Sequence, residues 1–210
     1  MTKPREIEIE GGVYILGEGA FVHPDAIVGA GTKIWDGARV MGGSVVGMCC
    51  VIGAGVGIEG AQLGDYCKVQ NGNTLYHGVS ADDYAFFGPN ATTTNDHNPR
   101  AFGDWQLSRI HLGVGASIGA NATLVAQPDT LEIGALSVVG SGSVVTKSVP
   151  EAAVVVGNPA RHIGWANVEG MMISRDTTSL PPELEDMLND PRLAIEKLLA
   201  KQAMEIMNNE

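Results

Sequence analysis

An aliphatic residue returns every sixth position through Val22, Val28, Ile34, Val40, Val46, Ile52 and Ile58. After a one-residue slip the beat runs on through Leu63, Val69, Leu75, Ala81 and Phe87. It stops, then resumes at Leu112, Ile118 and Leu124 and again at Ile133, Val139 and Val145. A helix with 3.6 residues per turn would scatter such a period around its cylinder. A short strand followed by a turn accounts for it: the aliphatic side chain points inward, and a small residue four positions on fits a tight corner. Ala26, Thr32, Ala38, Ser44, Cys50, Cys67 and Ala85 occupy that second slot. Three such units close a triangular coil, and stacked coils bond to one another as parallel sheets. The fold class is therefore an all-β solenoid, a parallel β-helix of hexapeptide repeats. The beat assigns 1–20 to an N-terminal lead-in and 21–166 to the β-helix.

The remainder, 167–210, has no such beat and reads as an α-helical tail. Ser179 is suited to cap a first helix, with proline in its first turn, and Asp190–Pro191 to start a second. Ile195, Leu198, Leu199 and Ile206 form one apolar stripe, expected to cover the chain's own coil or a neighbouring subunit rather than a membrane.

Composition narrows the function. A net charge of −11 over 210 residues disfavours nucleic acid, whose phosphates need Lys and Arg. No apolar run is long enough to span a bilayer, and the opening "MTKPREIEIE" lacks the apolar core of a signal peptide. Three cysteines without a C-x-x-C pair suit a reduced, cytoplasmic protein, and Cys50 and Cys67 sit in the small corner slot as packing residues.

The pause in the beat contains "TTTNDHNPRAF", and the loop 94–111 is rich in polar side chains. A bare coil has flat faces and no hollow, so a long loop is where a concave site is expected. Asp96 suits either positioning of a reacting group or a turn bonded to its own backbone. His97 and His111 bracket the loop and are candidate bases. Arg100 has the planar guanidinium that grips carboxylate or phosphate, or anchors a loop. Tyr76 and His77 lie on the coil near Gln70–Asn71.

The segments "FVHPDAIV", "LGDYCKVQNGNTLYHGV", "FFGPNATTTNDHNPRAF", "GASIGANATLV" and "VPEAAVVVGNPARHIGW" together resemble the nucleotide-sugar 3-N-acetyltransferases of the hexapeptide-repeat superfamily. The telling combination is Gln70-Asn71, Gly88-Pro89, Thr94-Asn95-Asp96 and Pro99-Arg100. The resemblance implies a left-handed coil, a homotrimer and acetyl-CoA as cosubstrate with no metal. The implied acceptor is the amino group, 3-amino in that family, of a UDP- or dTDP-linked sugar made for bacterial surface polysaccharide. It places Asn95 beside the reacting amine, with Asp96 and His97 as further catalytic candidates and the departing coenzyme thiolate as final proton acceptor. Gln70, Asn71, Tyr76, His77, Asn98 and Arg100 would hold the sugar nucleotide. Gly113, Ala116, Val139, Gly140, Lys147 and Arg161 would hold the coenzyme.

Four features depart from that family. Gly72 follows Gln70-Asn71 where asparagine is usual, and Phe87 precedes Gly-Pro where cysteine is common. Leu124 to Ile133 is three residues too long, and the tail is extended. "TND" fits relatives acting on deoxyhexoses and "NPR" those acting on uronic acids, so the sugar is open at this level. Three other functions compete with this one, and the first is a hexapeptide acyltransferase with another small acceptor. A zinc carbonic anhydrase of γ type needs three ligands, and its close histidine pair is absent from His23, His77, His97, His111 and His162. A non-catalytic β-helix leaves the polar loop unexplained.

Overall fold

The computed structural model describes residues 4–208. Three sheets of eleven, seven and six strands form the faces of a prism, and most of their strands are only two or three residues long. The first face stacks Leu16, Ile34, Ile52, Val69, Phe87, Ile118, Val139 and Val155 in parallel register. The second stacks Val22, Val40, Ile58, Leu75, Thr93, Leu124 and Val145. The third stacks Val28, Val46, Leu63, Ala81, Leu112 and Ile133. These rows fill the interior, and nearly every member is buried. The architecture is that of a left-handed parallel β-helix.

One repeated device binds coil to coil at the edges. Asp36, Asp65, Asn71 and Asp83 each accept, through Oδ1, a backbone N–H from the coil before, at 2.9, 2.8, 2.9 and 2.7 Å. The residue just before each donor is glycine, because the carboxamide or carboxylate needs that space. A Cβ on Gly17, Gly47, Gly53 or Gly64 would lie 2.5 or 2.6 Å from the facing Oδ1.

The boundaries move from those expected. Leu16 already belongs to the first face, so the solenoid starts inside the lead-in. Arg5–Ile9 folds back on Gly12–Leu16 as an antiparallel hairpin that covers this end. At the other end the parallel order gives way to antiparallel pairing of Arg161–Ala166 with Ala153–Val156, and Met172–Ser174 adds a strand beyond residue 166. The helical tail is correspondingly shorter than 167–210.

Ser179 caps nothing. A single 3-10 turn, Pro182–Leu184, starts after Pro181 with no side-chain bond and runs into α1, Glu185–Asn189. The second helix, α2, spans Pro191–Asn208, and Asp190 Oδ1 accepts the Leu193 N–H at 2.9 Å, as expected of a capping residue.

Helix α2 rests on the edge between the third and first faces. There Cys49, Tyr66, Tyr84 and Leu136 take the left-handed backbone conformation, with φ of 55, 59, 62 and 57°. That conformation costs a non-glycine residue roughly 1–2 kcal/mol. The Tyr66 and Tyr84 rings stack 4.9 Å apart, and with Leu136 they form a hollow also lined by Ile195 and Leu199. Arg192 pairs with Asp83 of the same edge and with Glu196. Burial, then the Glu196 charge, holds the Tyr84 phenol above its ordinary pKa.

Cys50 and Cys67 are buried, and their thiols donate to the carbonyls of Gly64 and Asp82, each at 3.2 Å. The hydrogen bond with Cys50, then burial, pushes the Cys67 thiol up. Cys49 is exposed. Ellman titration of the native protein should therefore find one reactive thiol per chain, and denaturation should release all three. Two fast-reacting thiols in the native protein would contradict this packing.

Candidate active site

Departures from the hexad gather on the edge between the second and third faces. The one-residue slip falls there at Gly60, which turns with φ +88°. The 94–109 loop leaves the same edge between Thr92–Thr93 and Ile110–Leu112. In the next coil the three extra residues of the 124–133 segment bulge beside it. The bulge holds the loop: Ala126 N–H donates to Thr94 Oγ1 at 2.8 Å, and its carbonyl lies 3.1 Å from His97 Nδ1. A carbonyl only accepts, so Nδ1 is the donor in this contact. At the loop's neck, Ser108 N–H donates to the Asn95 carbonyl at 2.9 Å.

Loop and bulge together enclose a cavity of about 310 Å³ lined by Asp96, His97, Asn98, Asp104, Gln106, Leu107, Ser108 and Pro128. From the lengthened 124–133 segment, Pro128 lines this cavity. Asn95 precedes this lining at the loop's neck, with Nδ2 3.4 Å from the His77 carbonyl, a bond at the long limit that a ligand can replace. Asp96 forms the turn, Oδ1 accepting the Asn98 N–H at 2.9 Å.

The other expected sugar-binding residues divide. Tyr76 and His77 share the loop's edge. Gln70 and Asn71 sit on the opposite edge of the second face, and Asn71 is one of the coil-bonding residues, its Oδ1 committed to Ala54. Arg100 is exposed, donates to the Pro99 carbonyl at 2.7 Å and stays outside the cavity lining. Phe102 and Trp105 are 80% and 55% exposed.

The expected coenzyme residues are scattered over several edges. Ala116 and Val139 are buried in the core, and their carbonyls accept from Phe86 and Gly119, so neither side chain can line an outer groove. The Gly113 and Gly140 N–H groups are likewise spent on Ile133 and Val155. Lys147 and Arg161 do converge. With His162 they line a hollow of about 330 Å³ at the solenoid's C-terminal end.

A second constellation was not anticipated. His111 on the third face lies between Ser80, with Oγ 3.1 Å from Nδ1, and Asp82, with Oδ2 3.5 Å from Nε2. It lines a groove of about 500 Å³ with Asp82 and Glu132. Its signal was in the beat: Ser80 and His111 each precede a third-face core residue, Ala81 and Leu112, and so stack one coil apart. Among the described residues, no group of three or more His, Cys, Asp or Glu is placed to hold a metal ion.

No family model matches the chain. Serine acetyltransferase 2 of Arabidopsis thaliana is 32% identical over 115 residues, 53% of this chain and 29% of the relative. The dTDP-3-amino-3,6-dideoxy-alpha-D-galactopyranose 3-N-acetyltransferase of Aneurinibacillus thermoaerophilus is 45% identical over 67 residues, 32% of this chain and 31% of the relative. The chain thus spans about a third of the length of these curated relatives. A hexapeptide-repeat-containing acetyltransferase of Vibrio cholerae, solved with acetyl coenzyme A, superposes with a TM-score of 0.51 at 21% identity. That match covers 59% of this chain and 70% of the other. The likeness is one of fold: this chain has the hexapeptide-repeat β-helix of that acetyltransferase.

Because Asn71 bonds coil to coil, Asn71→Ala should lower the melting temperature, and Gly53→Ala should destabilise by roughly 1–3 kcal/mol through overpacking. An Asn71→Ala variant with unchanged melting would return this residue to the list of ligand contacts.

Proposed function

We propose that the chain is an acetyl-CoA-dependent N-acetyltransferase, working as a cytoplasmic homotrimer on the amino group of a nucleotide-linked amino sugar. The 3-amino position and a role in bacterial surface polysaccharide follow the resemblance to the 3-N-acetyltransferases. The observation that carries the reading is the cavity that loop and bulge build together on one edge of an otherwise regular prism. The amine nitrogen forms a bond to the thioester carbonyl carbon, the carbon–sulfur bond breaks, and the amine proton ends on the coenzyme thiolate. Asn95 orients the amine, because an amide can align a nitrogen but cannot take its proton. His97 fastens the loop to Ala126. Lys147 and Arg161 supply cations for the coenzyme's phosphates.

The acidic lining supports one class of sugar over the other. Asp96 and Asp104 face the cavity, and no Lys or Arg lines it. Two carboxylates attract an ammonium group and repel another carboxylate. A sugar without a carboxylate suits this lining better than an amino uronic acid. Closed three-fold packing of prisms gives the exposed Phe102 and Trp105 a neighbouring subunit to cover.

One observation favours a second reading. A hydroxyl acceptor needs a general base in a way a free amine does not, and the His111–Asp82 pair is built like one. Serine acetyltransferase 2 of Arabidopsis thaliana is among the relatives.

Thiol release from acetyl-CoA separates the two. The acceptors are a dTDP-3-amino-3,6-dideoxyhexose, a UDP-linked 3-amino uronic acid and L-serine. The first should be preferred, and Asp104→Asn should raise its KM several-fold. Asn95→Ala should cut kcat by roughly ten- to a thousandfold, the scale of one lost positioning contact. His97→Ala and His111→Ala should each keep more than about a tenth of kcat. An active Asn95→Ala beside a dead His111→Ala, with serine as the better acceptor, would establish the hydroxyl reading instead.

A further inference from the structure

The edge between the first and second faces meets its left-handed corners with Gly55, Gly72, Asn90 and Asn121, residues that adopt them at little cost. At the equivalent corners under α2, Tyr66, Tyr84 and Leu136 stand instead. A large side chain is kept in such a conformation where its presence is needed, and sites that clamp a ligand are one such place. All three side chains line one hollow of about 310 Å³. Phe86 and Ser117, paired on the outward side of the first face, line it too, and Ile195 and Leu199 of α2 complete it. The helix comes close to the solenoid here: a Cβ on Gly115 would lie 2.9 Å from Ile195 Cδ1 and 2.7 Å from Leu136 Cδ2. The space that remains is at the lower end of the roughly 300–1,000 Å³ usual for ligand pockets, room for one or two rings.

Charge sets the class of ligand. The loop cavity carries Asp96 and Asp104, and the His111 groove carries Asp82 and Glu132. Among the described residues no carboxylate lines the hollow under α2, and its one charged group is Lys68. Lys68 projects from the first face between Val51 and Phe86 and, among the described residues, forms no ion pair. The carboxylates of the nearby corners are engaged elsewhere: Asp83 and Glu196 with Arg192, and Asp65 with the Met48 N–H. The Lys68 ammonium is therefore available to an anion. The Tyr84 phenol, held above its ordinary pKa by burial, keeps an O–H to donate. The rest of the lining favours a flat ring over a chain. The Tyr66 and Tyr84 rings are parallel within 6°, and with Phe86 they offer aromatic faces and edges that reward another ring beyond the area it buries.

We propose that this hollow binds a planar aromatic carboxylate of one or two rings, the ring among Tyr66, Tyr84 and Phe86 and the carboxylate on Lys68. Such a ligand also touches Ile195 and Leu199, so its binding fastens α2 to the solenoid. The inference does not rest on acetyl transfer.

The test titrates the full chain with 2-naphthoate by calorimetry. Two comparison probes are 2-naphthol, which keeps the rings without the charge, and decanoate, which keeps the charge without the rings. One naphthoate site per chain is expected, with each comparison probe bound at least about fivefold more weakly. Lys68→Gln should weaken naphthoate roughly five- to tenfold and leave 2-naphthol unchanged. Ser117→Trp, which fills the hollow from the first face, should abolish binding of both. Leu193→Glu, in the separate apolar groove of the tail, should alter neither. Circular dichroism checks that the variants fold, and naphthoate should slow amide exchange in α2. No naphthoate binding up to about millimolar concentration overturns the proposal, as does binding indifferent to both Lys68→Gln and Ser117→Trp. Decanoate bound as tightly as naphthoate, and weakened equally by Lys68→Gln, also overturns it and assigns the hollow to an acyl chain.

Discussion

The whole molecule depends on one requirement: each coil must hydrogen-bond to the coil before it with its inward side chain directly above the last. Parallel ladders two or three residues long leave no slack, so a coil that gained a residue within a strand would turn its aliphatic row outward. Insertions are admitted only at the edges. That is why the slip, the loop and the bulge all lie on a single edge, while the interior column from Leu16 to Val155 runs unbroken past them. The candidate site occupies the one place where this fold has freedom to build something irregular.

Much of this was legible in the sequence, and particular residues show where legibility stopped. The rows on the three faces follow from counting by six, and so, in retrospect, does the stacking of Ser80 on His111. The coil-bonding role of Asn71 was hidden because a coil-bonding asparagine and a ligand-binding one look alike until the glycine opposite is seen to leave it room. Ala116 and Val139 show a related limit: they turn their side chains inward, which leaves only their backbone to meet a ligand. A motif points to a stretch of chain, while the alternation of a strand decides which members face out. The partnership between loop and bulge was hidden by its form, since two insertions about 30 residues apart read as separate accidents until a coil brings them together.

The edge under α2 obeys a different rule. Elsewhere glycine and asparagine take the left-handed positions, but here Tyr66, Tyr84 and Leu136 accept the backbone cost. Strain of this kind persists only where other contacts offset it. The stacked rings and the helix that lies on them are those contacts, and the Asp83–Arg192 pair fixes their alignment. The tail is thereby part of the fold on one side, while its last turns remain uncovered.

Regular stacking also turns the solenoid into a ruler. The loop departs from the coil of Thr93, and the hollow holding Lys147 and Arg161 opens on the coil of Val145, two steps further along the second face. Neighbouring strands lie about 4.8 Å apart, so the two places are separated by about 10 Å along the axis. No side-chain substitution can change that interval, because it is set by backbone spacing. A donor that reached from one place to the other would have its length measured in whole coils, and only the gain or loss of an entire turn could alter the reading.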